Sequence, residues 1–478
     1  MNNDTISVRN PRTGALDFEF PRPSSSDIRS VCDRLRANQP EWQALGIHGR
    51  LAALGKLAAA LERHRQPIDT ALTTDTGRAI LAGLEISYLP SMLERIALQA
   101  DDFIELAEPV PSHTVPIVGR EQLVPLGLVL CISPWNFPII LSFIDAVPAL
   151  AAGNAVVIKP SEVTPRWVEP MREAIAEVPE VAAVLDLVLG DGAAGAELIT
   201  LADGVAFTGS VRTGRKVAVA AAENFIPSFL ELGGNDPAIV LESADVGYAA
   251  NAIMCSALSA NGQACQSLER AYVARPLFDE FVTTLVAEAE RWQINFPDIN
   301  SGTIGPFIFP DQPDVVAAHL RDATDKGATI MTGGDVIDHG GKWMRPTVVT
   351  GVTHDMAIMR EETFGPVIAV MPFDTPEEAV RLANDNDYGL AAAVFAATTD
   401  EARAVARHVN AGAVSINDAH LTAFVHDLPH QSFGLSGLGQ SRFGQEGLTR
   451  YARKKALLEN DSGQALLPAS TIFSVGSG

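Results

Sequence analysis

Cysteine is scarce in this chain: four residues in 478, at positions 32, 131, 255 and 265. Their irregular spacing contains no C-x-x-C pair, and H-E-x-x-H is absent, so neither a disulfide framework nor a metal site is expected and a reducing cytoplasm fits. Positive charge is also short. Against 58 Asp and Glu stand 35 Lys and Arg, a formal charge of −23, and such a field repels polyanions, so nucleic acid and membrane are not expected partners. An anionic nucleotide is not excluded, because backbone N–H groups and one lysine outweigh a distant field. The amino terminus, MNNDTISVRNPRTG, lacks the basic-then-apolar order of a secretory signal. Long apolar runs are missing too: the most apolar region, 124–159, is broken by Pro134, Asn136, Pro138, Asp145 and Pro148. There is no internal repeat and no low-complexity tract.

What is present is a globular composition, 47% hydrophobic and 19% charged. The chain is too long for one core, and at roughly 100–200 residues per domain it predicts two or three. Leu51, Leu54, Ala58 and Leu61 recur at helical spacing within 50–64, which predicts a packing helix. From residue 127 short apolar runs suited to buried parallel strands (GLVLCI, AVVIK, LDLVLG, GVAFTG) alternate with helical stretches, predicting a doubly wound α/β layer. ELGGNDP (231–237) interrupts this rhythm, which then resumes in PAIVL, PVIAVMPF, the helix TPEEAVRLANDN and AAAVFAA, a second α/β unit. The Pro-rich, alternating stretch 108–127 reads as an exposed ribbon of the kind that packs on a partner subunit.

Ligands of open parallel sheets sit at the carboxyl ends of strands, and four such ends carry chemistry. SPWNFP (133–138) holds Asn136 between two prolines, a donor of fixed direction suited to an oxyanion, or equally a structural turn around Trp135. After AVVIK, Lys159, Ser161 and Glu162 can meet a ribose and a phosphate, or form a solvated loop. Gly209 and Gly214 bracket a helix start where a pyrophosphate can approach the backbone. ELGG supplies Glu231, and NGQACQS (261–267) supplies Cys265. A thiol with a nearby carboxylate suits covalent attack on a carbonyl followed by activation of water; Cys265 alone fits an inert core thiol as well.

Together and in this order, SPWNFP, IKPSE, AFTGSVRTG, ELGGNDP, NGQACQS and EETFGPV (361–367) resemble the aldehyde dehydrogenase superfamily, NAD(P)-dependent and non-acylating, over about residues 125–455. The resemblance implies an α/β fold with a Rossmann-type cofactor domain, an α/β catalytic domain and a small β oligomerisation element. On that plan 1–107 and 127–231 bind the dinucleotide, 232–415 carry catalysis, and 108–126 with 416–478 form the oligomerisation element and tail. It implies Cys265 as nucleophile, Glu231 as general base and Asn136 as oxyanion donor. Lys159, Ser161 and Glu162 would hold the adenosine ribose, Gly209, Ser210 and Gly214 the pyrophosphate, Glu362 and Phe364 the nicotinamide ribose and ring, with Trp135, Gly195 and Leu232 also at the cofactor.

Departures concern the substrate. Where relatives read P-F-G-G, this chain has PHQSFGLSG (429–437), placing His430 and Gln431 on a segment that lines the substrate entrance in the family. Phe137, Leu141, Ile144, Gln266 and His430 are the expected pocket, which implies an apolar or aromatic aldehyde. NAD is the expected cofactor, since Glu162 repels a ribose 2′-phosphate, with NADP possible. A homodimer or homotetramer is implied. The alternatives are a coenzyme A-acylating dehydrogenase and a non-catalytic structural protein on the same fold.

Overall fold

The computed structural model describes residues 5–115 and 117–463. Each of the four apolar runs after residue 127 is a strand: Leu128–Ile132, Ala155–Lys159, Leu185–Leu187 and Gly204–Thr208. With Ser228–Glu231 they make a parallel sheet, edged antiparallel by Gly437–Leu438. These strands are mainly apolar because helices cover both faces, leaving no solvent side to demand alternation, and the polar Lys159, Thr208 and Glu231 stand at the carboxyl ends. One of these helices, Ile140–Ala151, buries ten of its twelve residues. Another, Gly46–Arg63, contains the predicted periodic stretch and buries Leu54, Leu57 and Leu61.

A second, seven-stranded sheet runs in the order 329–332, 347–350, 367–373, 268–274, 236–240, 391–395, 413–416, parallel except at its first strand. The helices Val246–Ala257, Phe278–Glu290, Gln312–Asp325 and Pro376–Asn384 pack on it, with two apolar clusters on its two sides. The ribbon is a third, antiparallel sheet in which Val118–Pro125 pairs along its whole length with Ala452–Glu459 and, at one end, with Val110–Pro111. No helix among the described residues is long and apolar enough to cross a membrane.

Two segments depart from the plan read in the sequence. The amino-terminal hairpin, Thr5–Arg9 with Leu16–Pro21, reaches the second unit: Arg9 donates to the carbonyls of Phe307 and Ile308, and Arg12 to that of Asn295. The stretch 416–478 is not one element. Phe433–Gly434 pairs with Tyr388–Gly389 beside the second sheet, and Gly437–Leu438 closes the first sheet; Ala452–Glu459 alone joins the ribbon. Glycine permits this crossing, since a Cβ at Gly437 would lie 2.5 Å from the Leu230 carbonyl oxygen. The tail LLPASTIFSVGSG lies outside the described residues.

Candidate active site

The turn carrying Asn136 is held from three sides. The buried Asn136 donates from Nδ2 to the Gln263 carbonyl at 2.9 Å, which ties it to the segment leading into Cys265. Arg78 donates to the carbonyls of Asn136 and, at 3.3 Å, Ala260, while its guanidinium covers the Phe137 ring at 5.5 Å. Glu85 accepts from the N–H groups of Ile139 (2.8 Å) and Ile140 (3.1 Å), an anion at the amino end of the following helix. Burial pushes the Glu85 carboxyl up to about 7, against the pull of Arg78 and those amides.

Cys265 follows three residues with left-handed backbone: Ala260 (φ 49°), Asn261 (φ 64°) and Gly262 (φ 72°). Such strain persists where surroundings over-determine it. Here Asn261 Oδ1 accepts from Gly305 N at 2.9 Å, and Gln263 Oε1 from Ile308 N at 2.9 Å. A Cβ on Gly262 would come 2.0 Å from the Gly365 oxygen, a backbone atom unable to yield as a side chain would. Gly262→Ala is therefore expected to cost about 2–4 kcal/mol of stability, read as a lowered thermal midpoint.

The half-buried thiol of Cys265 is pushed up to about 12, first by burial and then by Glu362, Asp236 and Glu231, with Arg442 opposing. Because the charged form is the one disfavoured, thiolate grows as pH rises. In the ligand-free protein, alkylation of Cys265 by iodoacetamide should be slow at neutral pH and rise about tenfold per pH unit through pH 10. A plateau below pH 9 would contradict it.

Glu231 ends its strand with one oxygen accepting from Ser432 Oγ at 2.8 Å and the other 3.8 Å from Arg442 Nε. The two glycines after it let other groups close in. A Cβ on Gly233 would sit 2.2 Å from Glu362 Oε2, and one on Gly234 2.8 Å from the Cys265 carbonyl oxygen. Gly234 N donates to Glu362 Oε1 at 3.2 Å, while burial and Glu269 push the Glu362 carboxyl up to about 8. Buried Glu269 accepts from the N–H groups of Thr363 and Phe364 and from Asn235 Nδ2, bracing the loop that presents Glu362 and Phe364. The Trp135 ring stands edge-on to Phe364 at 5.5 Å and stacks on Phe309 at 5.9 Å.

On the first sheet, Lys159 Nζ donates to Glu162 Oε2 at 2.8 Å, with the lysine stem buried and the carboxylate open to solvent. Ser161 Oγ accepts from Val163 N, and Gly195 leaves room beside the Lys159 stem. Ser210 caps the helix Val211–Glu223 by accepting from Thr213 N. A Cβ on Gly214 would meet Leu232 at 2.5 Å, and one on Gly209 the Phe207 ring at 2.6 Å, so both glycines keep the helix start low on the sheet. Bare backbone at a helix amino end, a lysine and a carboxylate fit a dinucleotide.

Of the expected pocket, Phe137 is half-buried in the turn before the helix Ile140–Ala151, Leu141 is half-buried and Ile144 buried on that helix, and Gln266 flanks the thiol. The His430 ring lies 4.7 Å from Phe443 and faces the charge of Glu231; burial lowers its pKa. Sequence reading missed Arg442, whose Nη2 donates to Asp145 Oδ2 (2.8 Å) and Thr208 Oγ1 (2.7 Å), and Arg450, which also binds Asp145. The signal was Asp145 itself, one carboxylate in an otherwise apolar helix, which has to find a cation. Glu269 and Arg270 were a similar signal inside the buried strand LERAYVA.

The model of the Aldehyde dehydrogenase family matches residues 1–457. The structure of PutA from Anabaena variabilis is 49% identical, with a TM-score of 0.93 over 97% of this chain and 99% of that one. Lactaldehyde dehydrogenase from Escherichia coli is 32% identical, with a TM-score of 0.89 over 96% of each chain. Betaine aldehyde dehydrogenase from Staphylococcus aureus, in complex with NAD+, is 29% identical, with a TM-score of 0.91 over 97% of this chain and 93% of that one.

Proposed function

This chain belongs to the aldehyde dehydrogenase family, and on that premise we propose that Cys265, Glu231 and Asn136 carry its reaction, the oxidation of an aldehyde to a carboxylic acid with NAD(P)+. The observation that carries the assignment is the convergence at Cys265: Asn136 bonded to the Gln263 carbonyl two residues upstream, and Gly234, three residues after Glu231, packed so closely that a Cβ there would lie 2.8 Å from the Cys265 carbonyl oxygen. The thiolate adds to the aldehyde carbon. One Asn136 amide hydrogen is held by Gln263, which directs the other, with the Cys265 N–H, to the oxyanion; each such donor is worth about 3–4 kcal/mol. When bound, the nicotinamide supplies a hydride acceptor. Trp135 and Phe364 would form its wall, and Glu362 would hold its ribose. The Cys265 adduct loses its hydrogen as hydride and becomes a thioester. Glu231 takes a proton from the water that cleaves it, releasing the carboxylate and the thiol. With this base present, water rather than coenzyme A is the acceptor.

Lys159, Ser161 and Glu162 hold the adenosine ribose, and Gly209, Ser210 and Gly214 the pyrophosphate, with Gly195 and Leu232 shaping the floor. Residues 1–107 and 127–231 bind the dinucleotide, 232–415 complete the active site, and the ribbon sheet joins subunits into a dimer or tetramer. Phe137, Leu141 and Ile144 favour an apolar or aromatic substrate, and the reduced cysteines a cytoplasmic setting. The test is a panel of aliphatic, aromatic and acid-bearing aldehydes with NAD and with NADP, followed by nicotinamide absorbance. Faster reduction of NAD is expected, and much faster reduction of NADP would overturn the cofactor preference. Glu162→Gln, which removes the charge opposing a 2′-phosphate, should raise kcat/KM for NADP by roughly tenfold.

A further inference from the structure

Next to the site lies a cavity of about 40 Å³ walled by Tyr88, Arg95, Ile144, His426, Arg442 and Phe443. At ~10–15 Å³ per water-sized occupant it holds about three heavy atoms. Its polar lining, Tyr88, Arg95, Gln99, His426 and Arg442, contains two guanidinium groups and no carboxylate. Arg95 donates to Tyr88 Oη at 3.0 Å and lies over that ring, yet has no carboxylate within 4.0 Å among the described residues. Tyr88 Oη also meets His426 Nδ1 at 2.8 Å. Buried Arg442 has its Nη2 on Asp145 and Thr208, but its Nε has no hydrogen-bond partner among the described residues and stands 3.8 Å from Glu231. Arg450 shares Asp145 with it. Two guanidinium groups, Arg442 and Arg450, thus meet the carboxylates of Asp145 and Glu231, and Arg95 adds a third guanidinium with no carboxylate of its own among the described residues, in a protein whose net charge is −23. His426 adds no charge, being pushed down to about 4 by burial, Arg95, His430 and Arg442. A half-buried arginine without a counter-ion and a fully buried N–H without an acceptor are costly unless an anion completes them.

We propose that this cavity receives a carboxylate carried by the substrate, so that the enzyme prefers aldehydes with an apolar body and an acid group at the far end. The inference rests on the reaction proposed above. Arg442 links the two places, walling the cavity while facing the base Glu231. Arg95 and Tyr88 bind the acid group by charge-assisted hydrogen bonds; Ile144 and Phe443 contact the carbon chain. Specificity follows because an uncharged end would leave these donors unpaired.

The test compares, over a series of chain lengths, an ω-carboxy aldehyde with its methyl ester. The native enzyme should favour the acid in kcat/KM by roughly 10–100-fold at the best length. Arg95→Met should collapse that ratio, mainly through the KM of the acid, and Arg95→Lys should restore part of it. NAD binding by each variant checks folding; if Arg95→Met does not fold, Tyr88→Phe carries the same ratio test. Equal use of acid and ester at every length, or an unchanged ratio in Arg95→Met, overturns the proposal. So does free acetate raising ester turnover to the level of the acid, because the anion is then a separate ligand. If no aldehyde is oxidised in any arm, the assigned reaction itself fails, and this proposal with it.

Discussion

Replacing Cys265 with alanine is expected to lower aldehyde-dependent NAD(P)H formation by at least ~10⁴-fold, the scale of losing a nucleophile that has no substitute. No other thiol can stand in. Cys32 and Cys131 are buried in the apolar core of the first sheet, and Cys255 sits on the helix Val246–Ala257. Ser267, two residues on, is buried. The loss should appear in the first turnover as well as the steady state, because no thiohemiacetal forms. Aldehyde oxidation surviving in Cys265→Ala would end the assignment.

Glu231→Gln is expected to separate the two halves of the reaction. Glutamine has the size of glutamate and keeps an oxygen for Ser432, but it cannot take a proton from water. Acylation should then proceed as an initial burst approaching one NADH per active site, followed by a steady state slower by ~10²–10⁴-fold. Rapid-mixing absorbance reads both phases. An unchanged steady state would remove Glu231 from the base role; loss of the burst together with the steady state would place it in acylation instead.

Much of this was legible in the sequence, for physical reasons. AVVIK and GVAFT are buried on both faces of a parallel sheet, so their composition alone announces strands. SPWNFP and ELGG declare themselves because proline fixes the backbone and glycine, lacking a Cβ, admits groups that any other residue would exclude. Arg78, Glu85 and Arg95 were not legible, since their partners lie far along the chain: Arg78 reaches the Ala260 carbonyl, and Tyr88, which holds Arg95, meets His426. A lone charge on a helix looks solvated until the fold shows what it faces. The same holds for 416–478, where short two-residue pairings leave no periodic trace.

Those pairings reach beyond topology. Between Phe433 and Leu438 the chain touches Tyr388–Gly389 on one side and Leu230–Glu231 on the other, and Ser432, just before them, holds the Glu231 carboxylate. A clasp of this kind would turn mechanical separation of the two sheets into a change at Glu231: if they part, the hydroxyl is drawn from the carboxylate. On the role proposed for Glu231, parting of the two sheets would therefore also unfasten the group assigned to hydrolysis.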